Sequence, residues 1–191
     1  SILNQSYQDF EFIIIDDGST DSTPRILVDY KNKDNRIKIL THKNKGLTRS
    51  LNIGASLSKG EFIARQDADD MSMPDRLEKQ IAFLKTHTDF AVIGACAVCT
   101  DGQGKVVTTS ENNKYGTVIK VDVSKQNPIP HSSAMFRKDV FNLCNGYDES
   151  FRVAQDFDLW NRMAKWGDIA LMPTILLKRR MINQGVSQKK I

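Results

Sequence analysis

The chain has 191 residues, of which 40% are hydrophobic and 26% charged, as in a single globular domain. The formal net charge is +4, from 27 Lys and Arg against 23 Asp and Glu, and this small surplus argues against a nucleic-acid-binding protein. No apolar run is long enough to span a bilayer, and the first residues lack the basic and apolar segments of a signal peptide. We therefore expect a cytoplasmic protein with no nucleic acid partner.

Apolar strand-like runs alternate with amphipathic helix-like segments along the chain. Strands are predicted at 11–15, 36–40, 61–65, 90–100 and 133–137, with a hairpin return at 105–109. Helices are predicted to begin near Thr23, Leu47 and Met73, to form around Val140, and to span 155–166. The segment 111–125 has no clear pattern, and the basic tail from Lys178 is predicted to fray. This alternation indicates an α/β fold with a mostly parallel sheet, in which ligands bind at the carboxyl ends of strands.

The three cysteines do not form a disulfide framework, because their number is odd and small. Cys96 and Cys99 lie in the predicted strand 90–100, where residues three apart point to opposite faces. They therefore cannot share a metal ion. Cys144 has no partner in the pattern.

Three carboxylates, those of Asp67, Asp69 and Asp70, follow the third predicted strand. Like charges this close repel one another, so a cation is expected beside them. Mg²⁺ or Mn²⁺ fits, because these ions bind one or two carboxylates together with diphosphate oxygens. The alternative is an acidic cap on the following helix, which the helix dipole would favour.

Asp16 and Asp17 end the first predicted strand. A carboxylate in this position can accept a hydrogen bond from a nucleotide base or a ribose hydroxyl. The alternative is an ordinary turn, for which Asp-Gly-Ser is common. Asp156 begins the last predicted helix, where it is a candidate general base or an acid that only stabilises the helix. The lone His131 is most simply structural.

These acidic clusters occur in one order among familiar neighbours. The matching segments are Ser-Ile-Leu-Asn-Gln-Ser-Tyr at 1–7, Phe-Glu through Asp-Asp-Gly-Ser-Thr-Asp at 10–21, Lys-Gly-Glu-Phe-Ile-Ala-Arg-Gln-Asp-Ala-Asp-Asp at 59–70, Pro-Asp-Arg-Leu-Glu at 74–78, Gly-Tyr-Asp-Glu at 146–149, and Ala-Gln-Asp-Phe-Asp-Leu-Trp at 154–160. With them the chain resembles the inverting glycosyltransferase family 2, which has the Rossmann-like GT-A fold. It is similar to members that build bacterial surface polysaccharides.

The resemblance implies roles for the acidic residues. Asp67-Ala68-Asp69 looks like the family's DXD motif, in which Asp69 would hold a Mn²⁺ or Mg²⁺ ion that bridges the donor diphosphate. Asp67 and Asp70 would assist through ribose, sugar or indirect contacts. The ion would stabilise the charge on the leaving diphosphate.

Further roles follow from the same resemblance. Asp17 would contact the uracil or other base, with Asp16 beside it, and Arg180 could face the diphosphate. Asp156 matches the catalytic base, which would deprotonate the acceptor hydroxyl for a single inverting displacement. Residues 1–100 would form the half that binds the nucleotide sugar, and residues 101–191 the acceptor half of a single catalytic domain.

The implied partners are a nucleotide-diphosphate sugar, expected to be UDP-linked, and a glycan or lipid-linked glycan acceptor. The basic tail is consistent with peripheral association at the inner face of the cytoplasmic membrane. The Gln-x-x-Arg-Trp segment of processive synthases is absent, so a single addition is expected.

The chain departs from the family pattern in two places. It begins near the end of the family's first helix, so we expect the first strand, which lines the nucleotide pocket, to be missing from this chain. Ile182 stands where many relatives have His, ahead of Ser187. Both departures leave open an alternative, a nucleotide-sugar-binding remnant without turnover. A nucleotidyltransferase is disfavoured because the chain shows no glycine-rich basic loop.

Overall fold

The computed structural model describes residues 1–109 and 117–181. Within them, strands and helices alternate through the first hundred residues as the sequence predicts, except that a two-residue strand at 71–72, which was not predicted, follows the third strand without a helix between them. The strands are β1 (Phe12–Asp16), β2 (Ile37–Thr41), β3 (Phe62–Ala64), β4 (Met71–Ser72), β5 (Phe90–Thr100), β6 (Val106–Thr109), β7 (Ile119–Lys120), β8 (Met135–Arg137) and β9 (Asp168–Arg180). The helices are α1 (Thr23–Lys31), α2 (Leu47–Leu57), α3 (Arg76–Thr86), α4 (Lys138–Leu143) and α5 (Gln155–Met163).

The described strands form two sheets. Strands β1 and β2 pair in parallel, and the larger sheet has the order β3-β8-β5-β9-β4, with β6 added to β5 and β7 to β9. The longest ladder joins β5 and β9 in parallel, from Phe90 opposite Asp168 to Thr100 opposite Arg180. The α/β class predicted from the sequence is confirmed.

The prediction of a mostly parallel sheet is wrong for the larger sheet, which is mixed. Apart from β5 with β9, every described pairing in it is antiparallel. The reason is clearest at β6, which follows β5 through the turn 101–105. A connection this short returns the chain antiparallel, whereas a parallel partner needs a long crossover.

Strand β5 is the centre of the core because it is buried on both faces. Val92 packs on one side with Phe136, Leu159 and Trp160. Ile93 packs on the other side with helix α3. Successive side chains of a strand point to opposite faces, so a single apolar run supplies both layers.

The prediction that the basic tail frays from Lys178 onward is wrong for residues 178–180. Residues 178–180 close the long strand β9, where they pair with 98–100 of β5. Strand β9 was missed because the run Ile169–Met172 is continuously apolar and does not alternate. A strand covered on both faces gives this pattern. The predicted helix 155–166 ends earlier, at Met163, which leaves room for the turn into β9.

The β1–β2 pair is less buried than its sequence suggests. Four of the five residues of β1 are half-buried, and α1 has no buried residue, with Val28 and Tyr30 exposed.

The thiols of Cys96 and Cys99 are both free. They lie in β5 as predicted, three residues apart.

Candidate functional site

The turn after β1 is built by Asp16, Asp17 and Gly18. Gly18 has a φ of 85°, and a Cβ there would lie 2.8 Å from the Asn44 nitrogen, so both backbone angle and space require glycine. The Asp16 carboxylate accepts a hydrogen bond from the Ser19 N–H at 2.9 Å. Hydrogen bonds from Ser19 hold the pKa of Asp16 below its usual range.

Asp17 fastens this turn to the next loop. Its two oxygens accept hydrogen bonds from the N–H groups of Lys45, at 2.7 Å, and Gly46, at 3.0 Å. His42 Nδ1 lies 3.2 Å from the same carboxylate. In contrast, Asp16 Oδ2 is buried and has no partner among the described residues. Asp16 Oδ2 is closed off from solvent, whereas the Asp17 side chain is 24% exposed and its Oδ2 keeps a second acceptor position.

The second acidic cluster lies in the loop after β3. The alternative reading as an acidic helix cap does not hold, because β4 intervenes and α3 begins only at Arg76, with Asp75 as its N-cap. The Asp67 carboxylate pairs with the buried Arg65, and the Asp67 N–H donates to Ser132 Oγ at 2.7 Å. The cluster is thus a loop held by Arg65, two residues before Asp67, and by Ser132, 65 residues after it.

Asp70 is buried at the base of the loop. Burial raises the pKa of Asp70, the hydrogen bond from the Arg180 N–H opposes this shift, and the nearby Asp67 and Asp69 add to it. The Arg180 N–H lies 2.9 Å from Asp70 Oδ1. Arg180 therefore reaches the acidic loop through its backbone, while its side chain is exposed at the end of β9.

Asp69 differs from its neighbours because it is exposed and no described residue donates a hydrogen bond to its carboxylate. The described residues contain no group of three or more His, Cys, Asp or Glu side chains that could hold a metal ion alone. A free carboxylate without further protein ligands fits an ion that takes its remaining ligands from a bound diphosphate.

Arg76 supports the acidic loop from inside the core, although its side chain is fully buried. It donates hydrogen bonds to the carbonyls of Arg65, at 2.8 Å, and Ala134, at 3.1 Å, and to the side chains of Gln66 and Ser72. Burial lowers the pKa of Arg76 to about 9, so it stays charged at neutral pH. This guanidinium joins the end of β3 to β8.

Asp156 is the second residue of α5, in the first helical turn as predicted. The helix follows Ala154, whose φ of 57° is left-handed and uncommon for a residue with a Cβ. The half-buried Asp156 carboxylate accepts a hydrogen bond from Asn127 Nδ2 at 2.7 Å.

Two of the three clusters are bound by one segment, residues 127–132. Asn127 donates to the Asp156 carboxylate, and Ser132 Oγ accepts from the Asp67 N–H. Burial raises the pKa of Tyr147 well above its usual range; the charge of Arg65 opposes this, while those of Asp156 and Asp67 add to it. No hydrogen bond or ion pair between described residues joins Asp16 or Asp17 to either group.

Helix α2 links the turn of Asp16 and Asp17 indirectly to Tyr147. It begins after Gly46, which Asp17 holds, and Thr48 Oγ1 donates to the Phe151 carbonyl at 2.9 Å. Asn52 then binds both backbone groups of Tyr147: its Nδ2 donates to the carbonyl at 2.9 Å and its Oδ1 accepts from the N–H at 2.8 Å.

Sequence reasoning gave no role to Asn52, Arg76, Asn127 or Ser132. Arg76 lies in the segment 74–78, which carried the family resemblance, but nothing in the sequence indicated that its side chain is buried. Asn127 precedes Pro128, and this pair predicts only an interruption of regular secondary structure. Other predictions lie outside the described residues, namely those on Ile182, on Ser187 and on the part of the basic tail after residue 181. None of the described helices is long and apolar enough to cross a membrane.

Residues 1–143 match the family model "Glycosyl transferase family 2". The chain belongs to this family. The family 2 assignment agrees with two bacterial relatives. EpsE of Bacillus subtilis is 38% identical over 177 residues, which are 87% of this chain and 60% of EpsE. The O-antigen biosynthesis glycosyltransferase WbnJ of Escherichia coli is 35% identical over 198 aligned positions, covering 100% of this chain and 76% of WbnJ.

The fold of the chain is similar to that of a solved structure, Staphylococcus aureus TarS 1-349 in complex with UDP-GlcNAc. The TM-score is 0.78 at 19% identity, and the match covers 100% of this chain and 55% of TarS 1-349. This likeness confirms the GT-A fold. The chain spans 60% of the length of EpsE and about half of TarS 1-349.

Proposed function

We propose that this family 2 chain transfers a sugar from a nucleotide-diphosphate sugar to an acceptor hydroxyl, with inversion at the anomeric carbon. The observation that carries the proposal is the segment 127–132, in which Asn127 Nδ2 donates to Asp156 Oδ2 at 2.7 Å and Ser132 Oγ accepts from the Asp67 N–H at 2.7 Å. This segment joins the acidic loop, where the Asp69 carboxylate is suited to a diphosphate with its ion, to a carboxylate suited to a general base.

The donor is proposed to be UDP-linked. TarS, which shares the fold, was crystallised with UDP and with UDP-GlcNAc. Asp17 is proposed to contact the base, as predicted, because its side chain is 24% exposed and its Oδ2 can accept the N–H of a uracil ring besides that of Gly46. Its bonds to residues 45 and 46 fix the orientation of this carboxylate, and Asp16 lies beside it.

In the proposed reaction Asp156 takes the proton of the acceptor hydroxyl while that oxygen attacks the anomeric carbon. The bond from that carbon to the diphosphate oxygen breaks, and its electron pair leaves with the nucleotide. A divalent ion at Asp69, Mn²⁺ or Mg²⁺, would neutralise charge on the departing diphosphate. Asp67 and Asp70 are proposed to hold Asp69 in place, and Arg180 shapes the same loop through its N–H.

The acceptor is proposed to be a glycan or a lipid-linked glycan of a bacterial polysaccharide pathway. WbnJ is named for O-antigen biosynthesis. The exposed cationic end of β9, with Lys178 and Arg180, is proposed to touch an anionic membrane surface. Co-sedimentation with anionic liposomes tests this, and equal sedimentation with neutral liposomes would contradict it.

The donor site is tested by calorimetric titration with UDP, with and without Mn²⁺. We expect binding that requires Mn²⁺ and that Asp69→Asn weakens at least about tenfold, since one ion ligand is lost. Asp75→Asn is the matched control, because Asp75 is also exposed but pairs with Lys79. UDP binding that is unchanged without Mn²⁺ and unchanged in Asp69→Asn would contradict the proposed metal role of Asp69.

Turnover is tested by UDP release from UDP-GlcNAc and other UDP-sugars in the presence of glycan acceptors. We expect release by the wild type and loss of about three orders of magnitude in Asp156→Asn, as for removal of a general base. UDP binding without release from any donor would instead identify a nucleotide-sugar-binding protein without turnover.

A further inference from the structure

Asn127 donates the one hydrogen bond that any described residue gives to the Asp156 carboxylate. Its Nδ2 lies 2.7 Å from Asp156 Oδ2, and its own Oδ1 accepts the Ile129 N–H at 3.1 Å. The two contacts use opposite ends of one amide. A flipped amide would turn an oxygen toward the carboxylate and its NH₂ toward an N–H group, so the contacts fix the orientation of Asn127.

The segment that carries Asn127 is anchored in the core. Ile129 is 2% exposed and packs onto Gly94 of β5, where an added Cβ would lie 2.5 Å from Ile129 Cγ2. Pro128 and Pro130 restrict the backbone on either side of Ile129. Asn161 of α5 donates to the Val123 carbonyl at 3.1 Å, so the helix that carries Asp156 binds the same segment. Asn127 is therefore held in a fixed place relative to α5.

We propose that Asn127 is the positioning residue of Asp156. By engaging Oδ2 it holds the carboxylate in one rotamer and leaves Oδ1, to which no described residue donates, for the acceptor proton. The proton passes from the acceptor hydroxyl to Asp156, and the freed electron pair forms the new glycosidic bond as the diphosphate leaves. This inference rests on the proposed function, in which Asp156 is the base.

A purely structural role for Asn127 can be separated from this one. Asn127→Asp keeps an oxygen for the Ile129 N–H at nearly unchanged shape but cannot donate to Asp156. Asn127→Ala loses both contacts. If Asn127 only held the loop, the alanine variant, which adds no charge beside Asp156, would keep the wild-type kcat. If it positions Asp156, the aspartate variant is at least as impaired as the alanine variant, since it also brings a second negative charge to the base.

The kinetic experiment measures UDP release with UDP-GlcNAc as the donor probe and the acceptor mixture that supports wild-type release. We expect kcat to fall about 10- to 100-fold in both variants, the range for a hydrogen bond to a charged group. The donor KM should stay within about twofold. The matched control is Asn142→Asp, an exposed asparagine of α4 whose side chain bonds no described residue. A rise in KM at unchanged kcat would overturn the proposal.

An NMR experiment tests the contact without turnover. In protein labelled with ¹⁵N-asparagine, the Asn127 side-chain amide pair is identified by its disappearance in Asn127→Asp. We expect this pair to shift in Asp156→Ala while the pair of Asn142 does not move. An unmoved Asn127 pair would overturn the inference.

Different variants test the base role of Asp156 and the positioning role of Asn127. Wild-type turnover in Asp156→Asn would overturn the base assignment of the proposed function itself. Wild-type turnover in Asn127→Asp, beside an inactive Asp156→Asn, would overturn only the positioning role.

Discussion

His131 Nε2 and Tyr147 Oη share a hydrogen bond of 2.8 Å, with the two rings edge-on at 5.6 Å. Burial lowers the pKa of His131 well below its usual range, and the charge of Arg65 adds to this effect. Burial raises the pKa of Tyr147 well above its usual range. Both rings are therefore neutral at pH 7, and His131 precedes Ser132, which accepts a hydrogen bond from the Asp67 N–H.

The His131 ring makes stability depend on pH. Folded His131 stays neutral, whereas the unfolded chain binds a proton there below about pH 6.5. The unfolded state then holds more protons, so the free energy of unfolding falls as pH falls through this range. We expect the wild type to lose more stability than His131→Gln between pH 7.5 and 5.5, measured by urea unfolding. The exposed His87 supplies a control, His87→Gln, and parallel curves for wild type and His131→Gln would refute the prediction.

Asn52 clamps the backbone of Tyr147 with two hydrogen bonds, at 2.9 and 2.8 Å. Asn52→Ala leaves both backbone groups without these partners, and Tyr147 is buried. We expect a loss of about 1–3 kcal/mol in the free energy of unfolding, measured in urea. Asn142→Ala, at an exposed position, should cost less than about 0.5 kcal/mol. Equal losses in the two variants would show that the clamp contributes nothing.

Gly94 provides the space into which Ile129 packs. Gly94→Ala places a Cβ within 2.5 Å of Ile129 and should cost about 1–3 kcal/mol through overpacking. Ile129→Ala should cost about 2–5 kcal/mol through a cavity. Because the added methyl partly fills that cavity, the double variant should be more stable than the sum of the two losses predicts. Simple additivity in a double-mutant cycle would contradict this packing.

Arg76 is a buried cation that bonds carbonyls and amides rather than a carboxylate. Arg76→Met removes its hydrogen bonds and leaves the carbonyls of Arg65 and Ala134 without them. We expect a loss of about 2–5 kcal/mol in the free energy of unfolding, with UDP affinity reduced as the acidic loop loosens. Arg25→Met, on the exposed surface of α1, is the matched control. Unchanged stability in Arg76→Met would show that the core does not need this cation.

Much of the local structure follows from the sequence. The ends of β1 and β3, the start of α2 and the hairpin between β5 and β6 lie within two residues of their predicted positions. Periodicity and turn residues determine such features, and both act over a few neighbours. For the same reason the sequence placed Asp16 at the end of a strand, Asp69 in a loop after a strand and Asp156 in the first turn of a helix.

The support of the site could not be predicted in this way. Asn127 lies 29 residues from Asp156, and Asn52 lies 95 residues from Tyr147. Isolated asparagines carry no periodic signal, so nothing in the pattern selects them. Asp17 shows the same limit, because its position was predicted while its hydrogen bonds to residues 45 and 46 were not.

The sequence by itself determined the family, the α/β class, and the strand-end and helix-start positions of the acidic residues, because short motifs and local periodicity encode them. Only the tertiary structure decided that β9 pairs in parallel with β5, that Arg76 is buried, and that the segment 127–132 binds both Asp67 and Asp156. These relationships depend on contacts between distant segments, whose free energies arise only when the chain is packed.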